Sequence, residues 1–252
     1  MIFFSCRNPE RKSIQVFSKP VIDQPVSKGS MKYISSGFVN AIFPDFAGKY
    51  KFCDTLLIPT KPVNDTSYQS DFIDDLPDSI TTDGFEIIPD YNSSIRRPLY
   101  GNQLCYYPVY IVNETKSSKA FLGKDLYVFG LQEALDTNGT WRPIEGRGFD
   151  FCGNGYWALL VHPQEFIAIL FPKYAGSYKT KIRVRIQNEN NIYVSKPFDA
   201  TINESQLYLK EDSYLYNELK ENKASAIQHL FYGAAPMGTD DKNFGLHAVW
   251  TK

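Results

Sequence analysis

The sequence has no long hydrophobic run, only three histidines and no excess of either charge, and each shortage removes a class of function. No apolar stretch approaches the roughly 20 residues that a helix needs to cross a bilayer, so no helical membrane span is expected. Basic and acidic residues nearly cancel, 27 against 28. That leaves no overall field to hold a polyanion, and nucleic acid is not an expected partner. His162, His229 and His247 stand far apart. Without a His-Glu-x-x-His or His-x-His pair, a histidine metal centre is not expected. A phosphate-cradling loop needs its glycines between a strand and a helix with Lys-Ser or Lys-Thr close behind, and the chain has none. Neither a cofactor nor a metal is therefore expected.

Cysteine is scarce too. Cys6, Cys53, Cys105 and Cys152 form no Cys-x-x-Cys pair, so zinc-ribbon and thioredoxin-like motifs are absent. Among Cys53, Cys105 and Cys152 one disulfide with one thiol left over is possible. Three small buried hydrophobes account for them equally well.

What the chain does have is aromatic side chains, 18 Phe, 17 Tyr and 3 Trp, which pack well on the pleated faces of strands. From Leu104 onward short apolar-alternating runs alternate with turn signals. The runs are Leu104–Val112, Asp125–Glu133, Tyr156–Val161, Glu165–Phe171, Lys179–Ile186, Asn191–Ser195 and Phe198–Ile202. The gaps are too short for crossover helices, so the sheets are expected to be antiparallel, with one side of each strand buried and the other wet. Pro108 argues for a bulge or an edge position. Asn138-Gly139 reads as a tight hairpin, because both residues tolerate positive φ. The fold class expected is all-β, an antiparallel immunoglobulin-like or jelly-roll-like sandwich with one C-terminal helix. Leu215, Leu219, Ala226 and Leu230 supply the stripe of that helix, Asp212 or Ser213 its cap and Gly233 its stop.

The organisation that follows is a leader remnant, tether and arm over 1–48, a sandwich over 49–204 and a C-terminal helix with tail over 205–252. The first strand is expected at Tyr50–Ile58. Residues 59–100 form a long irregular loop with one short strand at Phe85–Ile88. Between Asp65 and Asp90 that loop carries eight acidic residues and no basic one. The Asp-x-Asp-x-Asp-Gly spacing of a calcium loop is missing, and the segment reads as a solvated acidic loop.

The start of the chain, Ile2-Phe3-Phe4-Ser5-Cys6 followed by Arg7, resembles the cleavage box of bacterial lipoproteins. The resemblance covers residues 2–6, with Phe3 where that class usually has Leu, and no charged start precedes it. It implies a leader extending upstream of Met1, lipidation at Cys6 and a periplasm-facing place in the cell envelope. An accidental apolar start is the alternative. Five Asn-x-Ser/Thr sites, at Asn64, Asn92, Asn113, Asn138 and Asn203, argue weakly for a eukaryotic secretory route instead.

Three groups of residues are candidates for function. Lys179, Lys181, Arg183 and Arg185 alternate with apolar neighbours, so a strand would aim all four cations to one side. They would form an anion-binding stripe or simply the solvent face of a sheet. The glycine-rich segment Glu145–Trp157 holds Cys152, with His162 ten residues on. A Cys nucleophile needs such an imidazole, although a loop over a buried thiol has the same composition. Trp141, Tyr156 and Trp157, with Tyr106 and Tyr107, lie near strand ends, where flat rings can stack on sugars or anchor a protein. The function expected is non-enzymatic binding of a protein or glycan partner through loops of the sandwich. A hydrolase using Cys152 and His162 or a carboxylate pair is the alternative, and an accessory structural subunit the third reading.

Overall fold

The computed structural model describes residues 15–24, 31–34, 39–40, 44–58, 69–99, 102–125, 127–146, 154–208, 214–224 and 226. In chain order the strands of the first half are β1 (Ile22–Asp23), β2 (Val39–Asn40), β3 (Asp45–Lys51), β4 (Leu56–Leu57), β5 (Phe72–Ile73), β6 (Glu86–Pro89), β7 (Ile95–Leu99), β8 (Asn102–Asn113) and β9 (Lys119–Lys124). Then follow β10 (Tyr127–Val128), β11 (Gly130–Leu135), β12 (Trp141–Pro143), β13 (Glu145–Gly146), β14 (Tyr156–Val161), β15 (Glu165–Pro172), β16 (Tyr178–Asn188), β17 (Asn191–Val194) and β18 (Phe198–Ile202), and one helix, α1 (Tyr214–Glu221). The protein is mostly β, as its aromatic and β-branched runs require.

A nine-stranded sheet runs β5-β14-β9-β10-β3-β15-β8-β6, with β7 also paired to β8. A five-stranded sheet runs β12-β11-β16-β17, with β18 beside β17 on the same edge of β16. Every pairing within these two sheets is antiparallel. The two sheets meet face to face. Tyr107, Val109 and Ile111 of β8, Ile167, Ile169 and Phe171 of β15 and Val184 and Ile186 of β16 share one apolar cluster.

The opposite face of the large sheet is buried as well, contrary to the one-sided alternation expected of it. Tyr106, Tyr110, Phe166, Ala168 and Leu170 form a second cluster with Phe52, Leu56 and Ile58, and Phe17 and Ile22 of the N-terminal arm pack against it. All eight residues of β15 are buried, which is why Glu165–Phe171 reads as a near-continuous apolar run rather than an alternating one.

Local details also depart from the sequence reading. The expected Tyr50–Ile58 strand is divided. β3 begins five residues earlier and ends at Lys51, where the Asp54 carboxylate accepts the Lys51 backbone N–H at 2.7 Å and turns the chain into β4. The register of β3 shifts at Ala47–Gly48, where Gly48 takes φ +130° beside the Tyr50 ring, a bulge that a side chain would crowd. Asp125–Glu133 is two strands in two sheets, and the chain crosses between sheets at Phe129. A Cβ on Gly130 would lie 2.9 Å from Ile186 Cγ1, so glycine is what lets it pass.

Pro108 marks neither a bulge nor an edge. It pairs with Leu170 of β15 inside the sheet. On its other side β6 ends opposite Val109 and β7 begins opposite Tyr106. Between them the Pro108 carbonyl accepts the Asp90 N–H at 2.9 Å, so the missing donor of the proline faces the turn from β6 to β7 rather than the middle of a ladder. The 59–100 stretch is more structured than expected, holding a 3₁₀ turn at Gln69–Asp71 and β5, β6 and β7. In α1 Leu215, Tyr216 and Leu219 are buried. Leu230, Gly233 and both expected capping residues lie outside the described residues.

Candidate binding groove

The hairpin β11–β12 and the β16–β18 pair build a groove of about 710 Å³ at one end of the smaller sheet. Its lining combines Tyr91 and Tyr178 with Lys179, Thr180, Lys181, Asp136, Asp199 and Thr201, over Leu135 and Ala200. The hairpin is held by Asp136, whose Oδ1 accepts the N–H groups of Asn138 and Thr140 at 2.9 and 2.8 Å, and whose Oδ2 accepts Arg142 Nε at 2.8 Å. Only Gly139 takes a positive φ, +77°, and Asn138 does not. The expected hairpin forms, but as a longer loop closed by an aspartate.

On the β16 side the Thr180 hydroxyl donates to Leu135 O at 2.6 Å, and Tyr178 Oη reaches the same carbonyl at 3.3 Å. Tyr91 enters from the loop after β6. Its ring packs on Tyr107 and Phe198 at 5.0 and 4.9 Å, and burial raises its phenol to about 12, so it remains a neutral hydrogen-bond donor. Lys181 and Asp199, opposite each other on β16 and β18, pair at 2.7 Å while both stay largely exposed. The groove therefore offers ring faces, hydroxyls and both signs of charge at an open surface.

The four cations of β16 separate. Arg183 and Arg185 donate to the two oxygens of Glu133 at 2.5 and 3.1 Å. Glu133 itself is wholly buried, so this half of the stripe is turned onto a shared carboxylate within the sheet. The Arg183 guanidinium lies 4.2 Å from the Trp141 ring centroid, which covers that indole face. Lys179 and Lys181 alone reach the groove.

Tyr156 and Trp157 belong to β14 of the other sheet and do not join this group. Trp157 packs on Phe46 and Phe72, donates to Asp125 O and lies over Gly123, where a Cβ would sit 2.1 Å from its ring. Tyr156 is 64% exposed, stacked on Phe129 with the Lys124 amine 5.3 Å from its centroid. Tyr106 and Tyr107 are core residues, the latter fully buried.

Cys6 and Cys152 lie outside the described residues. Cys53 is exposed and Cys105 buried, and both are free thiols. The His162 ring meets Ser118 Oγ at 2.8 Å and Asp71 Oδ1 at 3.4 Å. Burial alone would raise Asp71, but Lys49 at 2.6 Å together with His162 holds it below the ordinary carboxylate range. Within the acidic segment Asp71, Asp83 and Asp90 pair with Lys49, Lys119 and Lys19. Among the described residues no group of three or more His, Cys, Asp or Glu is placed to hold a metal.

Tyr91, Tyr178, Asp136 and Asp199 were not legible as site residues. Tyr91 stands 87 positions before Tyr178, and only the packing of the β6 loop against the smaller sheet joins them. No helix among the described residues is long and apolar enough to cross a membrane. The chain matches no family model, no curated protein and no solved structure.

Proposed function

We propose that this protein is a glycan-binding protein of the cell envelope, with the Tyr91–Tyr178 groove as its ligand site. The observation that carries the reading is the groove lining, two tyrosines with Thr180, Thr201, Lys179 and Lys181 around a space of about 710 Å³. Pockets of roughly 300–1,000 Å³ suit small ligands. Aromatic faces take up the C–H faces of pyranose rings, and hydroxyls and amines bond the sugar oxygens. The two face-to-face sheets support an immunoglobulin-like or jelly-roll-like sandwich as the scaffold. Lipidation at Cys6 extends the reading to membrane attachment, and Cys6→Ser should then shift the protein from the detergent to the aqueous phase in Triton X-114 partitioning.

The test is a glycan array with the purified chain, followed by titration of any bound sugar against Tyr178→Ala and Lys179→Ala. Loss of a stacked ring should weaken binding about 10-fold, the equivalent of roughly 1.4 kcal/mol. An array without binding, or variants that bind as the wild type does, would overturn the groove as a glycan site.

A further inference from the structure

Lys173 is buried, 9% exposed, and among the described residues no carboxylate lies within ion-pair distance of its amine. Among the described residues its hydrogen-bond partner is the Ser94 hydroxyl, at 3.0 Å. Ser94 is exposed. The amine also sits 4.7 Å from the centroid of the Tyr91 ring. A buried ammonium without a counter-ion is strongly disfavoured, and burial accordingly lowers the amine's pKa, against the opposing pull of Cys105 and Asp90. The Asp90 carboxylate is already engaged by Lys19 at 2.8 Å and the Ser93 hydroxyl at 2.6 Å.

We propose that Ser94 and Lys173 form a serine–lysine acyl-transfer pair acting on small acyl esters, with the buried amine as base and the exposed hydroxyl as nucleophile. Lysine-activated serines are an established variant of the nucleophile–base arrangement, recognised by geometry rather than by position in the chain. The Ser94 Oγ–carbonyl bond forms as the Ser94 proton passes to Lys173 Nζ. The ester C–O bond then breaks, and Lys173 hands that proton to the departing alkoxide. Water attacks the Ser94 ester, giving a proton to Lys173, and the carboxylic acid leaves as that proton returns to Ser94 Oγ.

The neighbouring thiol does not compete. Cys105 is hydrogen-bonded to Ser94 and lies near Tyr33, Arg96 and Lys173, yet burial pushes its pKa up and keeps it a thiol. Two other hydroxyl–base contacts differ: the His162 imidazole beside Ser118 is half exposed and faces Asp71, which Lys49 already holds, and the Lys119 amine beside Thr81 is ion-paired with Asp83. The proposal goes beyond the groove. Among the described residues Tyr91 both lines the groove and lies against Lys173, whereas Ser94 lies outside the lining, so Ser94→Ala, which should abolish the acyl transfer and leave glycan binding as it is, separates the two readings.

The experiment treats the full chain with a fluorophosphonate, which phosphonylates an activated serine with loss of fluoride, and locates the adduct by peptide mass mapping. A single adduct on Ser94 is expected. Its rate should rise with pH and level off below the ordinary lysine range. Lys173→Met should slow it at least about 100-fold, the usual scale of a lost general base, while Ser118→Ala leaves it unchanged. Hydrolysis of p-nitrophenyl acetate should follow the same pattern. Absence of an adduct, an adduct on Ser118 instead, or wild-type labelling of Lys173→Met would overturn the pair. If Lys173→Met does not fold, the wild-type profile decides alone, since a rate independent of pH between 6 and 10 excludes a titrating lysine base.

Discussion

Burial raises Glu145 to about 7 although the Tyr174 hydroxyl, the Gln132 amide and the Gln132 backbone N–H all donate to it. A carboxyl whose pKa is higher folded than unfolded binds more protons when native. Its contribution is therefore complete below about 4.5 and is lost as pH rises through about 7. The difference amounts to roughly 3 kcal/mol at 1.36 kcal/mol per unit. Thermal unfolding followed from pH 4.5 to 7.5 should show stability falling, and Glu145→Gln should flatten that slope; an unchanged slope would assign it to another group. Gly123 poses a steric case. The Trp157 indole occupies the place of its missing side chain, so Gly123→Ala must displace the ring, at a cost of about 1–3 kcal/mol. Urea unfolding with a shifted tryptophan emission would register both effects.

At the scale of elements, the β11–β16 pair carries its charge inward. Glu133→Ala would leave Arg183 and Arg185, both largely buried, without their shared carboxylate, and breaking a buried pair in this way costs about 3–5 kcal/mol. Lys181→Ala, at an exposed cross-strand pair, should change stability by less than about 1 kcal/mol. Chemical denaturation of the two variants side by side tests whether the cationic stripe is structural at one end and free at the other. Apolar and β-branched runs bounded by turn signals placed β14 through β18 within one or two residues of their ends. It did not separate β10 from β11. Asp125–Glu133 keeps its strand propensity across Phe129, and the change of sheet is imposed by where β9 and β16 lie.

For the molecule as a whole, the consequential feature is that its larger sheet has no wet face along its centre. The smaller sheet covers one side, while Phe17 and Ile22, together with Phe52, Leu56 and Ile58, cover the other. Phe17 packs on Phe52, Tyr110 and Phe166 with ring centroids 5.3–5.6 Å apart. Removing it by Phe17→Ala should destabilise the whole fold by about 1–3 kcal/mol, less than a fully buried Phe because the ring is only partly covered. A single cooperative transition at lower Tm is expected. A separate early transition would show instead that the arm unfolds on its own.

By itself the sequence determined the mostly β character, the antiparallel pairing and the hairpin at Gly139, because period-two burial and turn chemistry are local properties that short windows carry. Tertiary structure alone decided that Pro108 sits in an interior strand, that Arg183 and Arg185 share the Glu133 carboxylate, and that Ser94 meets Lys173 across 79 positions of chain. Each of these depends on which distant strand becomes a neighbour, and that choice is made by packing two sheets and an arm around shared apolar clusters, not by any residue's own preference.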